Sequence, residues 1–454
     1  MQVKDFYKTL EDLGRMVEER QFSQARTLLL DENPVDIAEL FEEMPENTLV
    51  LLFRLMPKET ASEVFSHLDS DVQQRIIEGV TDKELATILD ELFFDDTVDF
   101  IEEMPANLVK RVLKNTDPAT RRLINQVLKY PEDSAGSLMT LEFMELKKDE
   151  TVAQAIVDIR RNSLEKETIE TCFVTSATRV LEGTVTLQNI LTSRDDTAIQ
   201  EIVDKDIFSV STTEDQSVVA DLFKKYELLS MPVVDSENRL VGVITIDDVL
   251  DVIEEENSED IYIMGAVTPS EDSYLKSSVF ELAKHRILWL LVLMISASIT
   301  GFIIRRFDEV LSSMVLLAAY IPMLMDTGGN AGSQSATMII RGLALGEIKT
   351  RDAFKIIRKE FAISLLVGSV LAVVNLGKLL FLDRVSLMVA VTICISLFCT
   401  VIVAKICGGL LPILAEKCKV DPAIMASPLI TTIVDAVSLT IYFVLATAIL
   451  HIGG

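Results

Sequence analysis

Apolar positions in the first third of the chain recur with a period of twelve residues. From position 40 to position 113, each unit carries apolar side chains at i, i+1 and i+4, and Pro45, Pro57 and Pro105 end three of the units. A short helix with this pattern cannot bury its apolar face alone, so successive units must stack on one another. The pattern predicts an acidic, all-α helical solenoid over residues 1–130.

A second repeat, with a different period, follows the first. Residues 173–191 align with residues 233–250, and Gly183 matches Gly242. Each copy has the pattern of a strand, a tight turn, a β-branched strand and then a helix. The repeat predicts two α/β modules in tandem over residues 131–256.

The last part of the chain contains five long apolar runs. They occupy residues 287–304, 314–340, 361–381, 385–414 and 425–452. Each run is long enough to cross a hydrocarbon layer of roughly 30 Å. Buried helices of a soluble protein are the alternative, but five such runs in succession favour a lipid bilayer. We therefore predict a multidomain protein with a linker helix over residues 257–284 and an α-helical five-span transmembrane domain over residues 285–454.

Charge is divided unevenly between these regions. Residues 285–454 contain ten acidic and fourteen basic residues, which leaves sixty acidic and twenty-eight basic residues before them. The net charge is therefore −32 for the first part and +4 for the second, in agreement with −28 for the whole chain. A region this acidic repels nucleic acid and attracts cations. Solubility alone is the other explanation of the charge.

Basic residues also predict the orientation of the chain. The loops around residues 341–360 and 417–419 are richer in Lys and Arg than the loops on the opposite side. By the positive-inside rule, these loops and the N-terminal region lie in the cytoplasm. The C-terminus is then expected on the extracellular side of the plasma membrane. The first residues lack the apolar core of a signal peptide.

Asp435 lies in the middle of the last apolar run, within the string ITTIVDAVSLTIYF. A charged side chain at that depth is costly and needs a partner or a water-filled site. The alternative is a protonated Asp that makes one hydrogen bond between helices. We therefore regard Asp435 as a candidate cation ligand.

The second apolar run contains the string IPMLMDTGGNAGSQSAT over residues 321–337. Pro322 removes a backbone donor, and Gly328 and Gly329 loosen helix packing or let backbones approach closely. We expect non-helical backbone with free carbonyl groups to line an aqueous path here. Further oxygens come from Asp326, Asn330, Ser333, Gln334 and Thr337. A site made only of oxygen atoms favours Mg²⁺ or Ca²⁺ over zinc or copper.

Two strings make a family resemblance close. PMLMDTGGNAGSQ (322–334) and DPAIMASPLITTIVD (421–435) follow the tandem modules and the acidic helical domain in the order typical of the MgtE family of bacterial magnesium channels. The chain resembles this family over essentially its whole length. The resemblance implies a homodimer with ten membrane helices and a pore on the dimer axis, where Asp435 anchors a hydrated Mg²⁺. The residues implied to line the pore are Gly328, Gly329, Asn330, Ser333 and Thr337, whereas Asp326 stands where some family members have glycine.

The same resemblance implies a gate. In the family, an amphipathic linker helix, here about residues 261–284, plugs the pore when cytosolic Mg²⁺ is high. The residues implied to bind regulatory Mg²⁺ are Asp248, Asp251, Glu256, Glu259 and Asp260, with Asp421 as a partner on the pore side. Asp95 and Asp96, in the acidic string DELFFDD of the helical domain, are further candidate metal ligands. Clustered carboxylates repel one another until Mg²⁺ neutralises them, so high Mg²⁺ favours a compact, closed state. A solvated acidic helix is the other interpretation of the cluster.

The string GVITIDD (242–248) resembles the cystathionine-β-synthase-type (CBS) module. Pairs of such modules often sense adenine nucleotides. The resemblance places Thr245 and Asp247 where they would contact the ribose of ATP or another adenine nucleotide. The first copy has Gln188 where the second has Asp247, so only the second copy has this contact.

Three functions follow from these observations. The first is Mg²⁺ uptake through a channel or transporter that Mg²⁺ itself closes. The second is secondary transport of divalent cations, in which Asp435 or Asp326 carries a coupled proton or cation. The third is a membrane-anchored nucleotide sensor that transports nothing. No nucleophile motif or phosphate-binding glycine loop stands out, so no enzymatic activity is predicted.

Overall fold

The computed structural model describes residues 3–270, 274–275 and 277–451 of the chain. The chain forms two compact units, of which the first ends at Ile253 and the second begins at Glu254. The predicted helical domain and most of the predicted α/β region fall within the first unit.

The first unit opens with ten α-helices in the described part of the chain. They are α1 (Val3–Glu18), α2 (Phe22–Leu30), α3 (Pro34–Glu42), α4 (Glu46–Phe53), α5 (Lys58–Ser66), α6 (Ser70–Gly79), α7 (Asp82–Leu89), α8 (Phe94–Glu103), α9 (Ala106–Asn115) and α10 (Thr120–Val127). The helices from α3 to α9 begin twelve residues apart. Helix α3 packs on α5, α4 on α6, α5 on α7 and α7 on α9. The predicted helical repeat is confirmed.

The repeated apolar positions form the core of these helices. Leu40, Leu52 and Val64 are fully buried at equivalent positions of three successive units. A short turn separates each helix from α3 to α9 from the next. Pro45 is the N-cap of α4, and Thr81 opens α7 with a capping box, a pattern that satisfies free N–H groups at a helix start.

Two three-stranded sheets and their helices complete the first unit, and the last of these helices continues into the second unit. The strands are β1 (Phe143–Lys147), β2 (Thr168–Thr175), β3 (Leu181–Thr186), β4 (Val210–Ser211), β5 (Ser230–Val234) and β6 (Leu240–Thr245). The helices are α11 (Val152–Asn162), α12 (Leu187–Thr192), α13 (Ile199–Ile202), α14 (Gln216–Tyr226) and α15 (Ile246–Met264). In each sheet the first strand runs parallel to the second, and the third runs antiparallel to the second.

The two sheets share one register. Val174 pairs with Gly183 in the first sheet, and Val233 pairs with Gly242 in the second. A shift in register follows directly after each of these pairs. The aligned glycines therefore occupy equivalent positions, and the tandem repeat is confirmed. Strands β1 and β4 lie outside the aligned segments and were not predicted.

The second α/β module shares its core with the helical domain. Met231, Val233 and Phe223 belong to one buried cluster with the apolar side chains of the N-terminal helices. A separate small cluster, which includes Phe143 and Val243, joins the two modules. The first unit is therefore continuous in its packing from the solenoid to the second sheet.

Six further α-helices form most of the second unit in the described part of the chain. They are α16 (Val279–Arg306), α17 (Asp308–Ser313), α18 (Ile321–Ala344), α19 (Ala353–Phe381), α20 (Leu387–Lys417) and α21 (Ser427–Leu450). Segments of these helices that are long and apolar enough to cross a membrane are Val279–Arg306, Thr350–Phe381, Leu387–Lys417 and Pro428–Leu450. Helix α18 is 24 residues long but carries many polar side chains. Four of the five predicted spans thus meet the criteria of length and composition.

Helix α18 corrects one expectation from the sequence. The backbone from Ile321 to Ala344 is a continuous α-helix rather than a non-helical segment with free carbonyl groups. Pro322 lies in the first turn, where a missing N–H costs no helical hydrogen bond. The glycines instead allow neighbouring helix backbones to approach closely, as the sequence also suggested. A Cβ on Gly408 of α20 would lie 2.1 Å from the carbonyl oxygen of Gly332.

The predicted linker helix over residues 257–284 is wrong as a single helix. Helix α15 ends at Met264, and α16 begins at Val279. Ala266 has a positive φ of 53°, and the N–H of Val267 donates to the carbonyl of Tyr262, so the chain leaves the helix through a left-handed C-terminal cap. Residues 271–273 and 276 of the predicted linker lie outside the described residues.

Candidate functional site

A cavity of about 460 Å³ lies between α18 and α21 in the second unit. Its polar lining comes from Asp326 and Asn330 of α18 and from Thr431 and Asp435 of α21. Because residues four apart share one face of a helix, each helix presents a pair of oxygen-bearing side chains to the same space. The structure thus brings Asp435 together with two oxygen-bearing residues of the 322–334 string.

Gly329 allows the two helices to approach at this cavity. It lines the cavity, and a Cβ at this position would lie 3.0 Å from the Cγ2 of Thr431. The hydroxyl of Thr431 donates to the carbonyl of Pro428 at 3.0 Å, so its oxygen keeps free lone pairs for a further donor or a cation. A larger residue at position 329 would press on this side chain.

Three other residues of the predicted path lie elsewhere on α18. Gly328 is buried against Ser438 and Thr400, where it permits helix packing rather than access to the cavity. Ser333 is half-buried and Thr337 is exposed. Neither side chain is among the described residues that line the cavity. Their predicted role in the path therefore remains a prediction.

The volume of the cavity determines whether a cation inside it can keep its water molecules. Six water molecules at about 30 Å³ each occupy about 180 Å³, which is well below 460 Å³. Mg²⁺ gives up its waters reluctantly and is usually held by one or two carboxylates. The cavity therefore has the ligands and the room for a Mg²⁺ ion that keeps its water shell.

A second group of oxygen ligands lies in the first unit. Carboxylate oxygens of Asp95, Glu167 and Asp248 all lie within 4.8 Å of one another. Asp95 is in the first turn of α8, Glu167 directly precedes β2, and Asp248 is in the first turn of α15. These three residues, which we call the acidic cluster, connect the helical domain with both α/β modules.

Burial and mutual repulsion favour the protonated forms of these groups. Burial, followed by the nearby Glu167, raises the pKa of Asp95 to about 11. Burial, again followed by Glu167, raises the pKa of Asp248 to about 8. Asp96 has its pKa raised to about 7 by burial and by the charges of Glu167, Asp247 and Glu142. Carboxylates so close together need protons or a cation to neutralise them.

The surroundings of the acidic cluster fit a hard cation. The Oε2 atom of Glu167 is buried and has no hydrogen-bond partner among the described residues. Asp248 accepts a hydrogen bond from the hydroxyl of Thr245 at 2.8 Å. The oxygen-only ligand set matches the preference of Mg²⁺ and Ca²⁺. An ion here would satisfy a buried oxygen that otherwise has no partner.

Glu167 and Glu142 were missed by sequence reasoning. Glu142 accepts a hydrogen bond from the backbone N–H of Phe94 at 3.1 Å, next to the aspartates of α8. Neither glutamate lies in a motif or near the predicted ligands along the chain. Only the packing of β1 and β2 beside α8 brings them to the site, so no local sequence signal was available.

The remaining predicted acidic residues lie along α15 and near α21. Burial, followed by the charge of Asp421, raises the pKa of Asp260, so these two residues lie close together in the second unit. Asp421 also caps the turn before α21 through the N–H of Ala423 at 2.7 Å. Asp251 and Glu259 are exposed on α15, and Glu256 is half-buried.

Comparison with known proteins agrees with this architecture. The family model described as "MgtE intracellular N domain" matches residues 32–133, the CBS domain model matches residues 199–255, and the model "Divalent cation transporter" matches residues 321–445. The magnesium transporter MgtE of Thermus thermophilus is 34% identical over 448 residues, which cover 98% of this chain and 99% of that protein. The chain belongs to the MgtE family.

Other MgtE proteins match at similar length. The magnesium transporter MgtE of Bacillus subtilis is 29% identical over 94% of both chains. A solved structure, described as the cytosolic domain of the Mg²⁺ channel MgtE in complex with ATP, is 33% identical with a TM-score of 0.51. It covers 54% of this chain and 99% of that structure. The MgtE assignment therefore rests on relatives that match 94% and 98% of the chain.

The predicted nucleotide residues of this MgtE protein lie at the end of β6. Thr245 is buried, and its hydroxyl donates to Asp248 of the acidic cluster. Asp247 is exposed at the start of α15. Of the two, Asp247 is the side chain that a soluble ligand can reach directly.

Proposed function

We propose that this protein is a Mg²⁺-selective channel or transporter that mediates magnesium uptake. It acts as a homodimer in the plasma membrane, with the first unit in the cytoplasm and the C-terminus on the extracellular side. The observation that carries the proposal is the cavity between α18 and α21, where Asp435 and Asp326 lie with Asn330 and Thr431. Its relatives are magnesium transporters.

We propose that α18 also crosses the membrane, which brings the number of spans to five. Its 24 residues extend about 36 Å at 1.5 Å per residue, which exceeds the roughly 30 Å hydrocarbon layer. Asp326, Asn330 and Thr337 are exposed on α18 in the single chain. Exposed polar groups at membrane depth require protein or water around them. In the homodimer, the second copy covers these groups with protein and encloses water beside them.

Mg²⁺ bound at the acidic cluster closes the protein in this proposal. The cluster joins the helical domain to the α/β modules through carboxyl groups whose charged forms repel one another without a cation. Binding of Mg²⁺ removes the repulsion and selects the compact state. Asp260 and Asp421 form a second pair of acids that a cation would stabilise, with Asp251, Glu256 and Glu259 on the same helix α15.

An adenine nucleotide such as ATP binds the α/β pair in this proposal. The supporting observation is the solved MgtE cytosolic domain in complex with ATP. Asp247 is the residue proposed to contact the ribose, with Thr245 beside it. Titration of the purified protein with a fluorescent ATP analogue tests the site, and equal affinity of wild type and Asp247→Ala would remove Asp247 from it.

The transport proposal is tested by Mg²⁺ flux into liposomes that contain the purified full chain. We expect Asp435→Ala to abolish flux and Asp435→Asn to reduce it, because the amide keeps one oxygen ligand but loses the charge. Asp308→Asn is the matched control, since Asp308 is exposed on α17 and does not line the described cavity. Equal flux in wild type and Asp435→Ala would refute the proposed cation site.

The same assay separates uncoupled conduction from coupled transport. Asp326 lies beside Asp435 in the cavity, which is the observation that favours a coupled proton or cation. The membrane potential is clamped with a K⁺ gradient and valinomycin while the pH or Na⁺ gradient is varied. Flux that ignores both gradients supports a channel, whereas flux driven against the Mg²⁺ gradient by either one supports coupled transport.

A further inference from the structure

Two charged side chains on helices of the second unit are buried. Glu360 of α19 is 8% exposed and Lys405 of α20 is 5% exposed. Both lie within segments that qualify as membrane spans. Ser335 of α18 is also buried and lies between them. Its hydroxyl donates to the Oε2 of Glu360 at 2.7 Å and accepts from the Nζ of Lys405 at 3.3 Å.

Stability alone does not explain this arrangement. Removing a charge from water is costly, and replacing a buried pair with well-packed apolar residues is often neutral or stabilising. The best-attested use of such a buried polar group is to fix the register of one helix against another. The hydroxyl of Ser335 is where the charged groups of α19 and α20 meet α18.

The contact lies on the side of α18 that faces away from the cavity. Asp326 and Ser335 are nine residues apart, which at about 100° per residue corresponds to two and a half turns. The cavity residue and the buried serine therefore lie on opposite sides of the helix. Gly332, one turn before Ser335, contacts Gly408 of α20 and sets the distance between the helices, but a glycine pair does not fix rotation.

We propose that Glu360 and Lys405 are positioning residues that hold α18 through Ser335. The hydrogen bonds fix the rotation and depth of α18, and so fix where Asp326 and Asn330 lie relative to Asp435. This inference rests on the proposed function, because it concerns the geometry of the proposed cation path. Loss of the hydrogen bonds lets α18 rotate, so the cavity changes its width and the spacing of its oxygens.

The first test measures Mg²⁺ and Mn²⁺ flux in liposomes for Ser335→Ala, Ser335→Thr and Asn375→Ala. Asn375 is the matched control because it is also buried on α19 but contacts Cys394 of α20 rather than α18. We expect Ser335→Ala to lower Mg²⁺ flux about tenfold, equivalent to one hydrogen bond to a charged group, and to change the Mg²⁺-to-Mn²⁺ ratio. Ser335→Thr retains the hydroxyl and should restore both values.

The second test detects a rotation of α18 by a measurement that does not depend on ion transport. Cysteine is introduced at Asn330, and its labelling by a water-soluble maleimide is followed by peptide mass spectrometry. We expect the labelling rate to change several-fold in the Ser335→Ala background and not in the Asn375→Ala background. This measurement remains informative if the wild type proves not to transport Mg²⁺, an outcome that would refute the proposed function alone.

The outcomes separate positioning from a merely structural role. A changed ion ratio and a changed labelling rate with Ser335→Ala, both restored by Ser335→Thr, support the proposal. Equal losses of flux in Ser335→Ala and Asn375→Ala, with unchanged ion ratio and labelling, overturn it. If Ser335→Ala does not fold, the apolar double variant Glu360→Leu with Lys405→Met is used, because it removes both partners of the hydroxyl, and an unchanged ion ratio and labelling rate in that folded variant also overturn the proposal.

Discussion

Replacing Gly408 with alanine tests the close packing of α18 on α20. A Cβ at this position would lie 2.1 Å from the carbonyl oxygen of Gly332, whereas real Cβ contacts stay above 3.0 Å. The helices must therefore separate by roughly 1 Å, in a core packed too tightly to absorb the change. Overpacking of this kind costs about 1–3 kcal/mol, against up to about 1 kcal/mol gained from the better helix former.

Gly377→Ala is the matched control for this substitution. Gly377 lies on α19, and a Cβ there has nothing within 4 Å. Alanine at this position therefore keeps the gain in helix propensity and adds no collision. Both variants are compared in detergent by thermal unfolding and in liposomes by Mg²⁺ flux. We expect Gly408→Ala to lower the melting temperature and the flux, and Gly377→Ala to change neither or to raise the melting temperature slightly.

The flux result matters as much as the melting temperature. Asn330 and Asp326 lie within two turns of Gly332 on the same helix, so a displaced α18 carries both cavity residues away from Asp435. If Gly408→Ala unfolds at the same temperature as Gly377→Ala and transports Mg²⁺ as well as wild type, the close contact between α18 and α20 does not position the proposed path.

Three further predictions concern the first unit. The raised pKa values of Asp248 (about 8) and Asp96 (about 7) mean that the compact unit binds protons more tightly than an open one. Without Mg²⁺, the protease resistance of the unit should therefore fall as the pH rises from about 4 to about 8. Saturating Mg²⁺ should abolish this pH dependence. Glu167→Gln, which removes one repelling charge, should make the unit protease-resistant without Mg²⁺, whereas Glu170→Gln, at an exposed site on β2, should leave the Mg²⁺ dependence unchanged. Thr81→Ala removes the capping box of α7 and should lower the free energy of unfolding by about 0.5–2 kcal/mol in denaturant titrations; no change would show that the cap contributes nothing.

The parts of the fold that were predictable are those with a local period. The twelve-residue repeat determined the helices from α3 to α9, because one period contains one short helix and its turn. The glycine alignment likewise determined the paired strands β2–β3 and β5–β6. Strands β1 and β4 were missed, since β4 has only two residues, Val210 and Ser211, and its pairing depends on a partner distant in the chain.

The errors have equally specific causes. A proline and several glycines in 321–337 suggested broken backbone, but Pro322 occupies the first helical turn, and neighbouring helices fill the space left by the glycines. The predicted linker helix was interrupted because Gly265 and Ala266 form a C-terminal cap that hydrophobic periodicity does not reveal. Glu167 and Ser335 escaped notice because their partners lie on other elements, and nothing in the residues beside them indicates a site.

The two groups of oxygen ligands differ in a way that suits two different tasks. In the cavity, Asp435 and Asp326 share about 460 Å³, so a cation there keeps its waters and is held by charge at a distance. An ion that must pass through has to bind weakly enough to leave. In the acidic cluster, one buried and two half-buried carboxylates lie within 4.8 Å of one another, so a cation between them would displace water and contact oxygen directly. Direct contact of this kind suits the sensor of cytosolic Mg²⁺ that we propose.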